Sequence, residues 1–534
     1  MPRIDATACV VLLVVLAGVV PAFGGANAGQ ARDPALAADD HLSEKVERAV
    51  DRTPGAGSVG AGVRAIRADH VSDRGTTGEG VRVGVIGSGF DAANRVVGPH
   101  VAAHRRFSDD TFGPRATAHD TAVAAVVSET ASSSDLYLAS VGRTPTAAEY
   151  ADAVSWLVER DVSVVVDSGS YFPTVGGRSA RITNAAERAV ETGVVFVTSA
   201  GNYARRHWSG QGVSDGWVAF DDGVEANAIA NGSPTRGRVS LRLRWASGAD
   251  YDLYLYRRGR FGGDSVVAAS TARETGPGRT VEAIDVAVPR GRYYVAVHAH
   301  RGVDAPRPVQ LFAAYHSLEY TTARGSMVAP ATSDRTIAVG AAGEEGPRPY
   351  SSRDATGHVD VTAPSRAWTD AAPALAGTSA AAPYVAGTAA LMQSRNRNLS
   401  PSEVETILER TAGNDTDIDA LAAVDAASTV GTRATPDRTP PADRTLSTDD
   451  VRTYGGAGST AVDGTASPTS AESAAGVNET RPEGRDDERR ASGRRDTRDE
   501  RDSEKRPADD EQRQPDDDRR QPDNKRQPDD DRRN

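Results

Sequence analysis

Between Ile66 and Ala427 two hydrophobic patterns alternate along the chain. One is a short, nearly unbroken apolar run: Val81, Val83, Val85 and Ile86; Val162 to Val166; Val194 to Val197; Ile337 to Val339. A strand with one wet face would alternate apolar and polar residues. Runs that are apolar throughout suit strands of a parallel sheet covered on both sides. The other pattern has helical spacing. Tyr150, Val154, Leu157 and Val158 follow a Thr146…Glu149 capping box, and Ile182, Ala185, Ala189 and Val190 repeat the spacing. Ser400-Pro401-x-Glu403 opens a later helix with a cap, a first-turn proline and a capping glutamate. Strands and helices in alternation predict an α/β fold with a doubly wound parallel sheet.

Residues 205–325 break that rhythm. Val239, Leu241, Leu243 and Trp245 alternate with polar residues, and Leu253 and Leu255 alternate with Tyr254 and Tyr256. Val281, Tyr293, Val295, Val297, Val309, Leu311 and Phe312 continue the strand character between Gly, Pro and Arg turns. This pattern predicts an inserted antiparallel β-sandwich of about 100 residues. Beyond about residue 430 apolar residues vanish, and Gln-Pro-Asp-Asp-Asp-Arg-Arg recurs. Residues 429–534 are therefore expected to be a disordered Asp/Arg-rich tail, because they cannot bury enough surface to offset the entropy of ordering.

The start of the chain carries another apolar run, Ala8 to Phe23, followed by Ala26-Asn27-Ala28. Roughly 16 residues is short for a membrane span, which needs about 20. Residues 1–28 are thus expected to be a cleaved secretory signal rather than an anchor. No twin-arginine pair precedes the run, so the general export route is expected. The only cysteine, Cys9, lies in this run, so a mature chain would have neither disulfides nor thiol chemistry. Residues 29–60 read as a linker or vestigial pro-segment with a short helical stretch near Leu42 to Val50. The expected setting is extracellular, secreted or cell-surface, with no membrane span after signal cleavage.

Composition narrows the partners. Formal net charge is -12, and Lys45, Lys505 and Lys525 are the only lysines. An aspartate-rich, lysine-poor surface suits a high-salt organism, although GC-rich codon usage gives the same bias. No basic stripe with interleaved aromatics stands out, which argues against nucleic acid as a partner.

The densest chemical signal is Gly377-Thr378-Ser379-Ala380-Ala381-Ala382-Pro383-Tyr384-Val385-Ala386-Gly387. A serine where a turn enters a helix exposes its hydroxyl and aims its N–H at a developing oxyanion. This stretch resembles the nucleophile motif of the subtilisin-like serine proteases, the subtilases. Gly78 to Gly89 resembles that family's first strand, which ends in the catalytic aspartate. His119-Asp120-Thr121-Ala122-Val123-Ala124 resembles its histidine motif, and Ser199-Ala200-Gly201-Asn202 the segment carrying the oxyanion asparagine. Tyr350-Ser351-Ser352-Arg353 and Val361-Thr362-Ala363-Pro364 resemble landmarks upstream of the serine. The match spans residues 61–204 and 326–428. It implies a subtilisin-like domain over 61–428, interrupted by the 205–325 insert. It further implies Ser379 as nucleophile, His119 as general base and Asn202 in the oxyanion hole. Ser168-Gly169-Ser170, after Asp167, resembles the substrate-binding strand in an ambiguous register. Protein or peptide substrates follow, and no cofactor is required.

Two departures qualify that reading. The triad aspartate position is Gly87, which has nothing to orient an imidazole, and loss of that carboxylate's function costs roughly 10⁴-fold in such enzymes. The glycine usually following the histidine is Asp120. This acid either fills the space left at 87 as a replacement carboxylate or sits at a helix start favoured by the dipole. Asp91 matches an acid often found after this strand and reads as structural. The segment before residue 61 is also short for a folding pro-domain. In the insert, Asp250 and Asp252 form a candidate structural calcium pair, or a solvated strand edge. The competing readings are a slow secreted endopeptidase, a pseudo-protease that binds peptides or surface partners, and a surface protein whose tail is the working part. Oligomeric state is not legible.

Overall fold

The computed structural model describes residues 59–431 except 111–113, 247, 260–261, 273–279, 302–307, 344–345, 370–374 and 414–416. All of them lie in one compact unit, Met1–Pro440. The expected signal segment, nearly all of the linker and the expected tail from 432 onwards lie outside the described residues.

The chain opens with two short helices, α1 (Val59–Ala65) and α2 (Ala68–Asp73). Val59 is buried, so the end of the expected linker already belongs to the core. The first five strands are β1 (Arg82–Gly87), β2 (Val101–Arg106), β3 (Asp135–Ser140), β4 (Val164–Asp167) and β5 (Val195–Ser199). Among them lie α3 (Pro114–Thr130), α4 (Ala147–Glu159) and α5 (Arg178–Glu191). Both predicted capping boxes form. At Thr146 the hydroxyl accepts from Glu149 N at 3.1 Å while the Glu149 carboxylate accepts from Thr146 N at 2.7 Å.

The insert follows β5. Its strands are β6 (His207–Gln211), β7 (Gly216–Trp217), β8 (Asn227–Ala228), β9 (Thr235–Arg244), β10 (Asp250–Arg257), β11 (Ser265–Ser270), β12 (Val281–Gly291), β13 (Tyr293–Arg301) and β14 (Pro308–Ala313). They form a sheet in the order β12-β9-β14-β6 and another in the order β11-β10-β13-β7, with β8 also on β13. Every pairing is antiparallel. The alternating residues Val239, Leu241, Leu243, Leu253, Leu255, Val295 and Val297 meet in the core between the sheets.

The main fold then resumes with β15 (Ile337–Gly343), β16 (Gly346–Pro347), β17 (Val361–Pro364), β18 (Arg366–Ala367) and β19 (Leu375–Ala376). It closes with α6 (Thr378–Arg395), α7 (Pro401–Thr411) and α8 (Ala420–Thr429). The large sheet runs β16-β15-β5-β4-β1-β3-β2, with β17 beside β15. All its pairings are parallel except β15 with β16. The unbroken apolar runs are explained by what covers each face. Val164, Val166, Val195 and Val197 point into the core containing α3 and α6, whereas Val165 and Phe196 point into the core containing α4 and α5. The fold is thus the expected doubly wound α/β sheet with an inserted antiparallel sandwich. Helix α6 is buried from Thr378 to Gln393, as expected of a helix apolar around its whole circumference.

Candidate active site

The site lies where β1, β4 and β5 end and α3 and α6 begin, at the carboxyl edge of the parallel sheet. Open α/β sheets place their ligands at this edge. Helix α6 starts from Gly377, whose φ is 83°. A Cβ there would lie 2.7 Å from Asn202 Oδ1 and 2.8 Å from its Nδ2. Glycine therefore meets two demands at once, a left-handed backbone and close approach of an amide.

Asn202 and Thr378 interlock. Asn202 Oδ1 accepts from Thr378 N at 3.1 Å, and Thr378 Oγ1 accepts from Gly201 N at 3.1 Å. With its oxygen so engaged, the Asn202 side chain presents Nδ2 as its donor end. The Ser351-Ser352 landmark holds this loop from behind. Ser352 Oγ accepts from Tyr203 N at 3.0 Å, and Ser352 N donates to Gly201 O at 2.8 Å.

Ser379 is the second residue of α6 and is 8% exposed. Its N–H belongs to the first turn, whose donors have no partner within the helix. Its Oγ donates to Ser168 O at 3.3 Å, and Ser168 Oγ donates back to Ser379 O at 3.3 Å. The return bond has a cause in the sequence. Pro383, four residues on, has no N–H for the Ser379 carbonyl, and the Ser168 hydroxyl takes its place. Of the expected substrate-binding segment, Ser168 thus touches the nucleophile candidate, and Gly169 and Ser170 are half-buried just past β4.

His119 and Asp120 lie in the second turn of α3, which packs along α6. The imidazole side chain keeps 26% of its surface exposed, and Nδ1 is 2.7 Å from Asp120 Oδ1. The other carboxylate oxygen, Oδ2, accepts from Gly89 N at 3.1 Å. A Cβ built at Gly87 would sit 2.6 Å from Asp120 Cγ and 2.8 Å from its Oδ2. The Asp120 carboxylate therefore occupies the place a side chain at 87 would use, and it engages the ring nitrogen. Its position beyond the first turn and its two partners set aside the helix-dipole reading. Asp91 is exposed and accepts from Ala93 N at 3.2 Å, an Asx turn in keeping with a structural role.

Contacts carry the geometry across the site. Asp120 abuts Gly87 at the end of β1, and Ile86 pairs with Asp167 at the end of β4. Ser168 follows and touches Ser379, whose helix start is locked to Asn202.

Asp167 has surroundings the sequence did not disclose. It is fully buried, with Oδ2 accepting from Tyr150 OH at 2.6 Å and Oδ1 from Gly169 N at 2.7 Å. Burial pushes its carboxyl up to about 6, the bonds from Tyr150 and Gly169 oppose the rise, and the Asp120 charge adds to it. A charged residue inside an apolar run was the available signal. Its tyrosine partners could not be read from local pattern.

The calcium candidates in the insert are not a solvated strand edge. Asp250 and Asp252 are 6% and 1% exposed, and Asp252 Oδ2 is 2.8 Å from Tyr254 OH and 2.5 Å from His300 Nε2. Among the described residues, the acidic group whose ligand atoms lie within 4.8 Å of one another is Asp360, Glu405 and Glu409. No described helix is long and apolar enough to cross a membrane.

Residues 319–444 match the model of the subtilase family. The fold is similar to that of the Clostridium perfringens CspB protease, with a TM-score of 0.50 and 15% identity over 68% of this chain and 98% of that one. A protease from Pseudoalteromonas arctica is similar with a TM-score of 0.38 and 15% identity, over 67% of this chain and 93% of that one. A cold-adapted subtilisin-like serine proteinase gives a TM-score of 0.36 and 16% identity, over 65% and 86%. No curated protein matches the sequence.

Proposed function

We propose that this chain is a divergent subtilase, a serine-type endopeptidase with its triad acid moved from position 87 to position 120. Ser379 attacks the scissile carbonyl, His119 takes the hydroxyl proton through Nε2, and Asp120 on Nδ1 holds the ring and balances its charge. The Ser379 N–H and Asn202 Nδ2 receive the tetrahedral oxyanion. His119 then returns the proton to the leaving amine, and water reverses the sequence on the acyl-enzyme.

The single observation that carries this reading is the Asp120 carboxylate, 2.7 Å from His119 Nδ1 in the space that Gly87 leaves empty. A pseudo-protease would have no reason to rebuild the acid it had lost. Substrates are proteins or peptides, bound along the Ser168–Ser170 edge. The apolar run at the start of the chain and the lysine-poor composition argue for work outside the cell, at high salt. The insert leaves the chain just after Asn202 and is rooted by Phe172, Tyr203 and Phe312, with ring centroids of Phe172 and Tyr203 4.8 Å apart. That position suits a module that restricts or recruits substrates.

The test is labelling with a serine-directed fluorophosphonate in high salt, with the modified residue located by mass spectrometry. Labelling at Ser379 that disappears in Ser379→Ala is expected. Folded wild-type protein that fails to label would instead favour a peptide-binding pseudo-protease.

A further inference from the structure

The carboxylate at the end of β4 has no part in the mechanism above, yet it organises the turn that meets Ser379, and the Asp120 charge acts on it. We propose that Asp167 is a positioning residue, fixing the Ser168 carbonyl beneath the Ser379 hydroxyl and acting as a second charge on the His119–Asp120 pair. This inference rests on the proposed peptidase reading and deepens it.

A turn ties Asp167 to the nucleophile. Asp167 Oδ1 accepts from Gly169 N at 2.7 Å, closing an Asx turn around Ser168. Ser168 then offers its carbonyl to Ser379 Oγ and its hydroxyl to Ser379 O, both at 3.3 Å. The nucleophile is thereby held from below by a turn that one carboxylate organises. Without Asp167 the Gly169 N–H would lose its partner, and Ser168 would lose the constraint that sets its carbonyl.

Charge also links Asp167 to Asp120. Ile86 pairs with Asp167, and Gly87, the next residue of β1, abuts Asp120. Asp120, on the α3 side of β1, and Asp167, at the end of β4, thus lie at neighbouring strand ends. Asp167 meets Tyr150 from α4 and Tyr171 from the following loop, and the charge of Asp120 on α3, itself bonded to His119, acts on it. Arg178 of α5 acts on Tyr171. Both phenols are pushed above their ordinary value by burial first and the Asp167 charge second, so they stay neutral donors. Asp167 itself changes charge near pH 6. Above that pH its negative charge acts on the His119–Asp120 pair and opposes that of Asp120. Below it the pair feels a neutral neighbour.

The experiment has a catalytic arm and one independent of catalysis. In the first, the rate of Ser379 labelling by a fluorophosphonate is followed from pH 5 to 9 in wild type, Asp167→Asn and Tyr150→Phe. Asp167→Asn is expected to lower the plateau rate about 10- to 100-fold through misplacement. It should also move the acid limb to lower pH by about half a unit or more. Tyr150→Phe keeps the carboxylate but removes a bond that favours its charge, so its acid limb should move the same way. It also covers the case in which Asp167→Asn does not fold. An unmoved limb in a folded variant overturns the inference.

In the second arm, melting temperatures at pH 8 are compared for wild type, Asp167→Asn, Asp120→Asn and the double variant. The effect of Asp167→Asn should be more favourable with Asp120 present than in the Asp120→Asn background, by about 2 °C or more. Additive effects overturn the inference whatever the labelling shows. A coupled cycle in a wild-type protein that never labels would defeat the peptidase reading and support the Asp120–Asp167 pair.

Discussion

Asp120 and Gly87 share one space: a Cβ on residue 87 would lie 2.6 Å from the Asp120 Cγ. The two positions therefore trade side chains, and only one of them can carry an acid at a time. A prediction follows from the exclusion. Gly87→Ala should push the Asp120 carboxylate off the imidazole and slow turnover about 10- to 100-fold. Gly87→Asp alone should be worse, since it adds a like charge to the clash. The double variant Gly87→Asp, Asp120→Gly gives the usual subtilase arrangement and should recover peptide hydrolysis to within about 10-fold of wild type. Turnover on a chromogenic peptide decides it, and a double variant no better than Asp120→Gly would count against a shared role.

Asn202 is held by its oxygen, which leaves its amino group as the donor end in the proposed oxyanion hole. Asn202→Ala should lower kcat about 10²- to 10³-fold with little change in KM, because the bond forms only as charge develops. A loss confined to KM would place Asn202 in ground-state binding instead.

The acidic group between β17 and α7 predicts a pH dependence of stability. Asp360 is pushed up to about 6 by burial first, and Glu405 to about 7 by burial and the charges of Asp360 and Glu409. Both folded values exceed the unfolded ones near 4. Their stabilising contribution is therefore full below about pH 4 and is lost as pH rises through 6 to 7. Glu405→Gln should raise the melting temperature at pH 8 by a few degrees and leave it unchanged at about pH 4. Equal shifts at both pH values would refute this account.

The insert contains a pair that its alternating pattern hid. Arg242 is 2% exposed on β9, and its guanidinium lies 2.9 Å from Asp285 on β12. Asp285→Ala removes a carboxylate from a buried guanidinium and should destabilise the protein by about 3–5 kcal/mol. Denaturant unfolding measures it, and a loss below about 1 kcal/mol would mean that water reaches the pair.

Much of the fold was legible because its signals are local. Val164 to Val166 reads as a strand buried on both sides, since each face meets its own layer of helices. Thr146 and Ser400 read as helix starts because a capping box lies within four residues. The site was legible only where a motif carries it, as at Ser379, His119 and Asn202. Long-range arrangements were not. Gly87 and Asp120 lie thirty-three residues apart, and only their juxtaposition across β1 and α3 turns an absence and an oddity into one exchange. The burial of Asp250 and Asp252 likewise depends on packing that alternation along one strand does not encode.

The central claim is that Asp120 is the acid of this site. The most direct measurement is the second-order rate constant for fluorophosphonate labelling of Ser379 in wild type and in Asp120→Asn, with both proteins shown to be folded. The account predicts a fall of roughly 10²- to 10⁴-fold, as when a triad carboxylate is neutralised. Equal rates in the two proteins would contradict it.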